Sequence, residues 1–497
     1  MSWSLKRHVP LTCTLYAFLD AVRCILVISR SQKRPSLEPY FSARYKIELT
    51  SKQFLHKLFT MVNKMHRDTL LTIIAEWLED TELPSLVSRN QPAPDIESLT
   101  RILAIVGPRR AGKTYYMYQL IQSLLQTRNY KKEDILFIDF EDYRLREFSG
   151  DTIDELFAAF HQIAGRYPRF LFFDEVQHLS DWQRIVRTLH NRRRFTIIIS
   201  GSNSKLLGAE IATELRGRYD DVIMLPFSFG EFLRYRDIPF SAASLRTATR
   251  GTVMRAFDDY MRHGGFPEVI MARSETERRK LLQSYFNTIF YRDILERYNI
   301  KARYVLDALM NDVLETYSGI FSINRFEKQL RTNGIPGSKR TISNYLQYLE
   351  EAFFIIVNEK FSYSPRRRIM NPKKVYLSDS GFAALGRPFA ENRGRILENV
   401  VATELFRRET ELFYFKQKNE CDFVIKQGLH PVQAIQVCWE LNERNEKREL
   451  DALSEACRAL DLKAGLLLTY AQEEERTVNG LTISVEPVWK WLLGAET

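Results

Sequence analysis

The octapeptide Gly107-Pro108-Arg109-Arg110-Ala111-Gly112-Lys113-Thr114 constrains this chain more than any other stretch. It has the GxxxxGK[ST] spacing of a phosphate-binding loop, and it stands between an apolar run and a segment of helical pattern. The two glycines allow a tight turn in which successive backbone N–H groups point at phosphate oxygens, and the following helix adds its partial positive charge. Lys113 can then reach the β- and γ-phosphates, and the Thr114 hydroxyl can hold Mg²⁺.

Apolar runs and helical segments alternate between residues 101 and 225. Five runs have the character of strands: Ile102–Val106, Ile135–Phe140, Phe170–Phe173, Phe195–Ile199 and Val222–Leu225. Helical patterns lie between them at Lys113–Gln126, Ile153–Gly165 and Asp181–Asn191. Continuous apolar strands joined through helices predict an α/β fold with a parallel sheet that is covered on both faces.

Two carboxylates, Asp174 and Glu175, end the third apolar run. In a chain with a phosphate loop, we expect Asp174 to bind Mg²⁺ directly or through water. Glu175 is then the base for the water that attacks the γ-phosphate. Without the loop, the same pair would be read as a solvated acidic turn after a strand. The two motifs together predict a site for ATP and Mg²⁺ that can hydrolyse ATP.

Polar and basic residues follow the fourth run and precede the fifth. Ser202 or Asn203 can orient the attacking water if the fourth strand lies between the first and the third, and helix capping explains either residue nearly as well. An arginine at Arg216 or Arg218 can contact a phosphate in its own subunit or, as an arginine finger, in a neighbouring subunit. An ordinary pair of surface arginines is the alternative.

Residues 227–300 lack strand-like runs, and their helical segments, among them Glu275–Arg297, predict a helical lid. Residues 301–385 have the outline of a winged helix-turn-helix. A helix at Asn324–Leu330, a turn with Gly and Pro, and a helix capped by Ser338 or Thr341 lead to two apolar runs around the basic segment Arg366–Lys374. That segment fits a wing that follows DNA phosphates, although a solvated charged hairpin is equally ordinary and winged helices also mediate protein contacts.

Residues 391–497 have the pattern of a last, small α/β unit. A helix at Ile396–Arg408 precedes the apolar runs Leu412–Phe415, Cys421–Ile425 and Ala434–Val437. A charged helix (Glu446–Leu460), the run Leu466–Leu468 and the segment Val488–Leu493 complete the unit.

Several further sequence segments accompany the phosphate loop GPRRAGKT. They are FLFFDEVQ, ISGSNSKLL, LRGRY, LPFSFGEF, GGFP, RDI at Arg292–Ile294, TISNYLQYLEEA at Thr341–Ala352, VYLSDSGF at Val375–Phe382, GRILENVVATELFRR at Gly394–Arg408 and CDFVI at Cys421–Ile425. Over about residues 65–497 the chain therefore resembles AAA+-type archaeal and bacterial ATPases that carry a C-terminal domain of unknown function. The resemblance implies an ASCE/AAA+-like P-loop NTPase core with a helical lid, then a winged helix and a small α/β restriction-endonuclease-like domain.

This resemblance organises the chain into expected domains. They are a helical lead-in at 61–100, the ATPase core at 101–226, the lid at 227–300, the winged helix at 301–385 and the endonuclease-like domain at 391–497.

An endonuclease-like domain raises the question of nuclease activity. Nucleases of the PD-(D/E)xK type use a helix Glu, a strand Asp and a Glu-x-Lys on the next strand, so that the carboxylates bind Mg²⁺. Here Glu398 or Glu404 would be the helix acid and Asp422 the strand acid, but the next strand carries Gln436 and Cys438. Because Gln is a poorer Mg²⁺ ligand than Glu and Cys cannot replace a cationic Lys, a degenerate fold used for binding is favoured.

An active nuclease would need a lysine from another part of the chain. Lys416 and Lys418 are the two that lie near the strand acid in sequence, and nothing else in the pattern supports either of them.

Charge and cysteine content give little support for nucleic-acid binding by the folded part, for disulfides or for a zinc site. The net charge is +10, but residues 1–60 hold ten Lys and Arg against three Asp and Glu, so the remaining chain carries only +3. The basic balance is therefore weak evidence that the folded part binds nucleic acid. Five scattered cysteines without a CxxC suggest neither disulfides nor a zinc site, as expected in a reducing cytoplasm.

Residues 1–60 fit poorly with the rest of the chain. The stretch Leu11–Ile28 is apolar, but Asp20 and Arg23 interrupt it, so we expect no stable membrane insertion. A disordered extension, a segment that lies on a membrane surface, and a start codon placed too far upstream of Met61 or Met65 all remain open.

Three functions follow from these patterns. The first is an ATPase that couples its nucleotide state to a C-terminal half, with duplex DNA at the winged helix and further copies of the chain as the partners considered. The second is a DNA-processing or defence nuclease under ATPase control. The third is a non-enzymatic, ATP-dependent switch. The hydrolytic motifs favour the first.

Overall fold

The structure is a computed structural model that describes residues 67–80, 82–91, 94–128, 130–146, 148, 152–202, 217–241, 249–386, 392–478 and 480–494. The extension at 1–60, Met61 and Met65 lie outside these residues, as do Asn203 and Arg216. Residues 69–75 form a helix that ends in the π-helical segment Glu76–Asp80.

A five-stranded parallel sheet forms the first half of the described chain, as the sequence predicts. Its strands are β1 (Ile102–Val106), β2 (Ile135–Asp139), β3 (Phe170–Asp174), β4 (Thr196–Gly201) and β5 (Tyr219–Ile223), in the order β2-β3-β4-β1-β5. The connecting helices are α1 (Lys113–Thr127), α2 (Ile153–Ala164) and α3 (Trp182–Asn191). Short 3₁₀ turns lie at Ile96–Ser98, Lys132–Asp134, Tyr143–Leu145 and Val176–His178. This order places β4 between β1 and β3.

The residues of β1 to β4 are almost all buried because helices cover both faces of the sheet, whereas the edge strand β5 is only partly buried. Alternate residues of β1 belong to two separate clusters, with Ile102 and Ala104 in one and Leu103 and Ile105 in the other. This two-sided burial explains why the strands are continuously apolar rather than alternating.

Helices dominate the next part of the chain. They are α4 (Phe229–Tyr235), α5 (Thr249–His263), α6 (Pro267–Met271) and α7 (Glu275–Thr288), and the last continues as the π-helical segment Ile289–Glu296. Ser228 begins α4 with a capping box, in which its Oγ accepts a hydrogen bond from the backbone N–H of Glu231.

A second group of elements follows, in the order helix, strand, two helices, strand, short helix and strand. They are α8 (Arg303–Thr316), β6 (Gly319–Phe321), α9 (Ile323–Thr332), α10 (Lys339–Glu351), β7 (Ile355–Lys360), α11 (Pro365–Met370) and β8 (Lys373–Leu377), with a 3₁₀ segment at Ser380–Leu385. Ser338 caps α10 by accepting a hydrogen bond from the backbone N–H of Thr341 at 3.1 Å. The short helix α11 lies where the sequence suggested only a basic connection.

The C-terminal elements complete a second sheet. They are α12 (Arg393–Arg407), β9 (Glu411–Lys416), β10 (Glu420–Gln427), β11 (His430–Val437), α13 (Glu446–Ala459), β12 (Ala464–Thr469), β13 (Glu474–Val478), β14 (Leu481–Pro487) and α14 (Val488–Leu493). The sequence pattern did not predict β13 or β14.

This second sheet is mixed and continuous across nine strands, in the order β13-β14-β12-β11-β10-β9-β7-β8-β6. Strands β7 and β9 join its two parts through a parallel pairing in which Glu359 lies opposite Phe413 and Lys360 opposite Tyr414. One hydrophobic core, which extends along the chain from Phe227 to Leu493, includes the helices that precede the sheet. Among the described residues, no helix combines the length and the apolar character needed to cross a membrane.

Candidate nucleotide-binding and hydrolysis site

The phosphate loop connects β1 to α1 and requires glycine at both ends. Gly112 caps α1 with a left-handed backbone (φ = +96°), which favours glycine. At Gly107, an added Cβ would lie 2.0 Å from the carbonyl oxygen of Met224, so any side chain would clash with the backbone beside β5. The loop therefore holds its backbone against the sheet, at the start of a helix, where anions bind.

A hydroxyl and a carboxylate meet beside this loop. Thr114 Oγ1 donates a hydrogen bond to Asp174 Oδ2 at 2.5 Å, and the Ser200 hydroxyl donates to the other carboxylate oxygen. Burial raises the pKa of Asp174, while the hydrogen bonds from Ser200 and Thr114 oppose that shift. Hydroxyl and carboxylate oxygens are ligands that Mg²⁺ prefers, so Thr114 and Asp174 fit the ion that accompanies ATP.

Lys113 and Glu175 lie together at the same edge of the sheet. Lys113 Nζ donates to the carbonyl oxygens of Gly107 and Pro108 at 3.3 and 3.1 Å, and it lies 3.4 Å from Glu175 Oε1. Burial opposes ionisation of Glu175, but the charges of Lys113 and Arg109 outweigh it and lower its pKa to about 2. The carboxylate is therefore ionised at neutral pH and able to accept a proton.

The backbone and neighbours of Glu175 orient it within this site. Glu175 has a left-handed backbone conformation (φ = +46°), and its N–H donates to Ser200 Oγ at 3.0 Å. The Gln177 amide donates to Glu175 Oε2 and lies 3.4 Å from the buried Ser202 Oγ. The sequence analysis did not assign Ser200 and Gln177 to the site, although both lie within segments that carry the family resemblance.

The remaining predicted residues are distributed differently. Ser202 is buried at the end of β4, next to Gln177. Arg218 lies beside the first residue of β1, because its carbonyl accepts a hydrogen bond from Ile102 N. Its side chain donates to Asn191 Oδ1 at 2.8 Å. Arg218 therefore lies near the amino end of β1, about 13 Å along the strand from the phosphate loop at its carboxyl end. It is not close to the phosphate loop of its own chain.

Both arginines of the phosphate loop contact the helices that follow the parallel sheet. Arg109 Nε donates to Asp293 Oδ1 at 2.9 Å, within the π-helical segment Ile289–Glu296. Arg110 donates to Glu268 at 2.6 Å and stacks over the Tyr285 ring at 4.7 Å. Two ion pairs therefore tie the phosphate loop to α6 and to the π-helical segment Ile289–Glu296.

Arg89 is a further contact that sequence reasoning missed. It is buried and donates from Nη1 to the Ala111 carbonyl in the phosphate loop and from Nη2 to the Leu225 carbonyl. Its Nε pairs with Glu231 Oε1 at 2.9 Å, which attaches the loop to the start of α4. No sequence motif indicates such a role for this arginine.

A second cluster of charged residues lies in the nine-stranded sheet. Lys374 of β8 is buried, and its ammonium lies 2.7 Å from Glu398 of α12, 2.7 Å from Asp422 of β10 and 3.1 Å from Glu420. The Tyr376 hydroxyl also donates to Glu398, at 2.8 Å. The described residues contain no group of three or more His, Cys, Asp or Glu side chains arranged to hold a metal ion. The ammonium of Lys374 is thus the cation at the centre of these carboxylates.

The other predicted nuclease residues lie around or away from this cluster. Gln436 is engaged on both sides, since its Oε1 accepts from Asp422 N at 3.2 Å and its Nε2 donates to Glu449 at 2.7 Å. Glu404 pairs with Arg407 and Arg408 instead.

The lysine beside the strand acid is neither Lys416 nor Lys418. Lys416 pairs with Glu420 at 3.0 Å, and the contact of Lys418 is a hydrogen bond from its backbone N–H to Glu455. The lysine in contact with Asp422 is Lys374, from the basic segment assigned to the wing. Because Lys374 is buried and Lys373 pairs with Glu359, these two lysines do not form part of an exposed surface for phosphates.

Three family models match consecutive parts of the chain. A model described as an AAA domain matches residues 99–233. Two further models, Domain of unknown function (DUF8612) and Domain of unknown function (DUF4143), match residues 254–389 and 393–490. An uncharacterized protein of Methanocaldococcus jannaschii is 37% identical over 404 residues, which are 79% of this chain and 88% of the relative. The chain belongs to this archaeal and bacterial family of AAA-domain proteins.

More distant matches have the same character. An uncharacterized protein of Haemophilus influenzae is 28% identical over 395 residues, which cover 79% of this chain and 94% of the relative. Among solved structures, C. elegans PCH-2 matches with a TM-score of 0.26 at 14% identity, over 42% of this chain and 63% of that chain. That likeness is too distant to carry a functional argument. The family match supports the P-loop, the parallel sheet and the AAA-type core, with two C-terminal domains of unknown function.

Proposed function

We propose that this family member binds ATP with Mg²⁺, hydrolyses it, and couples its nucleotide state to its C-terminal half. The observation that carries the proposal is the meeting of four groups at one edge of the parallel sheet. Thr114 contacts Asp174 at 2.5 Å, and Lys113 lies 3.4 Å from Glu175. These are the residue types that hold the metal, contact the phosphates and activate water in P-loop hydrolases.

Each group has a defined task in the proposed reaction. The backbone of Gly107–Thr114 and the Lys113 ammonium hold the phosphates, and Thr114 and Asp174 hold Mg²⁺, which neutralises phosphate charge when bound. Glu175 takes a proton from a water whose oxygen attacks the γ-phosphorus. The bond from the γ-phosphorus to the bridging oxygen then breaks, and its electron pair leaves with ADP. Ser200 and Gln177 hold the base in position.

The buried Arg89 and the partly buried Arg407 support coupling to the C-terminal half. Arg89 contacts the phosphate loop and the Leu225 carbonyl. Arg407 of α12 donates to the carbonyl of the next residue, Pro226, at 2.8 Å. A change in loop position on nucleotide binding therefore has a short, hydrogen-bonded route into the second sheet.

The proposed partner surface lies on the group that runs from α8 to β8. The order helix, strand, two helices, and two strands joined through the short helix α11 supports a winged helix, with α10 as its second helix. The exposed residues of α10 near its start are basic or polar: Lys339, Arg340, Ser343 and Asn344. That composition suits duplex DNA, in which phosphate contacts and base contacts both need polar or cationic groups. A protein partner is the alternative outcome of the test.

The test is Mg²⁺-dependent ATP turnover, measured against protein concentration with and without duplex DNA at low salt. We expect turnover in the wild type, loss of nucleotide binding and at least 100-fold lower turnover in Lys113→Ala, and wild-type behaviour in the exposed control Lys280→Ala. Unchanged turnover in Lys113→Ala would refute the hydrolytic site. A rise in specific activity with concentration supports assembly, and DNA binding without salt dependence would argue against the winged helix as a DNA reader.

A further inference from the structure

Arg109 is the third residue of the phosphate loop, yet its side chain ends on other elements. Its Nε lies 2.9 Å from Asp293 in the π-helical segment, and its Nη1 lies 3.4 Å from Glu141, which follows β2. The Arg109 side chain is 15% exposed and that of Asp293 only 3%. This pair is therefore mostly shielded from water, and its charges interact more strongly than those of an exposed pair.

The strand order defines what the Arg109 side chain passes over. Strands β4 and β3 lie between β1 and β2. A side chain that starts in the loop after β1 and reaches Glu141 beyond β2 therefore extends across the carboxyl ends of β4 and β3. Glu175 directly follows β3 at that end. The Arg109 side chain thus passes over the strand end that carries the base proposed to activate water.

Phosphoryl transfer needs positive charge at this place, because negative charge on the γ-phosphate oxygens must be stabilised while the bond to the bridging oxygen breaks. Arg218 cannot supply that charge to its own chain, since it lies at the opposite edge of the sheet. Arg110, the other loop arginine, is half exposed and pairs with the exposed Glu268. Arg109 alone of these three combines burial with a position over the base.

We propose that Arg109 acts within its own chain as the arginine that stabilises the γ-phosphate, and that Asp293 of the lid holds this arginine until ATP competes for it. The proposal rests on the ATPase function proposed above and adds a catalytic residue and a coupling contact to it. When Arg109 turns to the phosphate, Asp293 keeps a cationic neighbour, because Arg297 lies 3.9 Å away. The π-helical segment is then free to shift when ATP binds, and the pair forms again after phosphate leaves.

The catalytic part is tested with Arg109→Ala and Arg109→Lys, with Arg292→Ala as the matched control. Arg292 is 57% exposed and lies 3.6 Å from the same Glu141, outside the proposed site. We expect Arg109→Ala to lower kcat at least 100-fold and to weaken binding of ADP with tetrafluoroaluminate by a similar factor, while ADP binding changes less than threefold. Arg109→Lys restores part of both, and Arg292→Ala neither. Retention of kcat and of tetrafluoroaluminate affinity in Arg109→Ala would overturn the proposal.

The coupling part has a readout that does not depend on turnover. Hydrogen exchange of residues 289–296 is compared in the wild type with ADP and with a non-hydrolysable ATP analogue. We expect exchange to rise only with the ATP analogue, and the nucleotide difference to vanish in Arg109→Ala, which needs no change at the buried Asp293. Persistence of the difference in Arg109→Ala would exclude this contact as the link.

The two levels of proposal fail in distinguishable ways. A wild type that binds no nucleotide, or a Lys113→Ala variant with normal turnover, contradicts the ATPase itself. Normal wild-type turnover that depends on Lys113 but not on Arg109 contradicts only this inference.

Discussion

Two sites in this protein combine a buried lysine with carboxylates, and they use the lysine in opposite ways. At the phosphate loop, Lys113 Nζ donates to two backbone carbonyls and stays 3.4 Å from Glu175. In the nine-stranded sheet, Lys374 Nζ lies 2.7 Å from both Glu398 and Asp422. The first lysine is held mainly by neutral groups, so its charge is available to a phosphate. The second is already surrounded by carboxyl groups.

The comparison shows why the same residue types can form a ligand-binding site in one place and a structural cluster in another. A phosphate can displace weak carbonyl contacts of Lys113, because the new charge-assisted bonds are stronger. At Lys374, an incoming metal would have to displace an ammonium that already contacts the same carboxyl groups. The degenerate signature at Gln436 and Cys438 thus coincides with a cluster whose charges satisfy one another. This favours a structural role for the Lys374 cluster over a metal site.

Glu175→Gln tests most directly whether the phosphate-loop site binds ATP and activates water. The change keeps the shape and the contact from Gln177 but removes the base, so we expect kcat to fall by about 10²–10⁴-fold while ATP binding is retained. Single-turnover hydrolysis and a separate nucleotide titration measure the two effects. Equal loss of binding and turnover would mean that Glu175 holds the loop rather than activating water.

Lys374→Met tests whether the Lys374 cluster stabilises the fold rather than binding a metal. Removing the ammonium leaves buried carboxylates without their partner, and we expect a loss of about 3–5 kcal/mol in the free energy of unfolding. Lys426→Met is the control, because Lys426 pairs at 2.9 Å with the exposed Glu411 in the same sheet and should cost less than about 1 kcal/mol. Urea denaturation compares them. Equal losses in the two variants, or Mg²⁺-dependent DNA cleavage by the wild type, would break the distinction.

The smallest expected effect concerns protonation of Glu398. Burial and the charge of Asp422 raise its pKa to about 8, against the opposing effect of Lys374. The folded state then binds a proton that the unfolded state releases near pH 4.5, so this contribution is complete at low pH and is lost as pH rises through 8. Between pH 6 and 9, the wild type should lose roughly 2–3 kcal/mol more stability than Glu398→Gln, measured by denaturation at each pH. Parallel profiles would show that Glu398 is ionised throughout.

The parts predicted from sequence are those whose residues are adjacent along the chain. The phosphate loop, and Asp174 with Glu175 after an apolar strand, have fixed local spacing, and continuous apolar strands indicate a buried parallel sheet. Strand β14 was missed although Leu481, Ile483 and Val485 alternate with more exposed residues. Its partner β13 is mostly polar and has no such pattern.

The contacts of Lys374, Arg89 and Asp293 could not be predicted, because their partners lie far away in sequence. Lys374 meets Asp422 across 48 positions, Arg89 meets Glu231 across 142, and Arg109 meets Asp293 across 184. Periodicity reports which face of an element is buried, but not which distant charge will be beside it. In the sequence alone, Lys374 is one member of a basic run, and nothing there indicates its contacts with Glu398 of α12 and Asp422 of β10.

The pairing of β7 with β9 has a consequence for how the chain can move. Since the two strands are hydrogen-bonded in one sheet, we expect the proposed winged helix and the C-terminal unit to move together as one rigid body. A displacement of α12 through Arg407 would then carry α10 with it. A partner bound to α10 would then be moved or released by this whole rigid body rather than by a local loop.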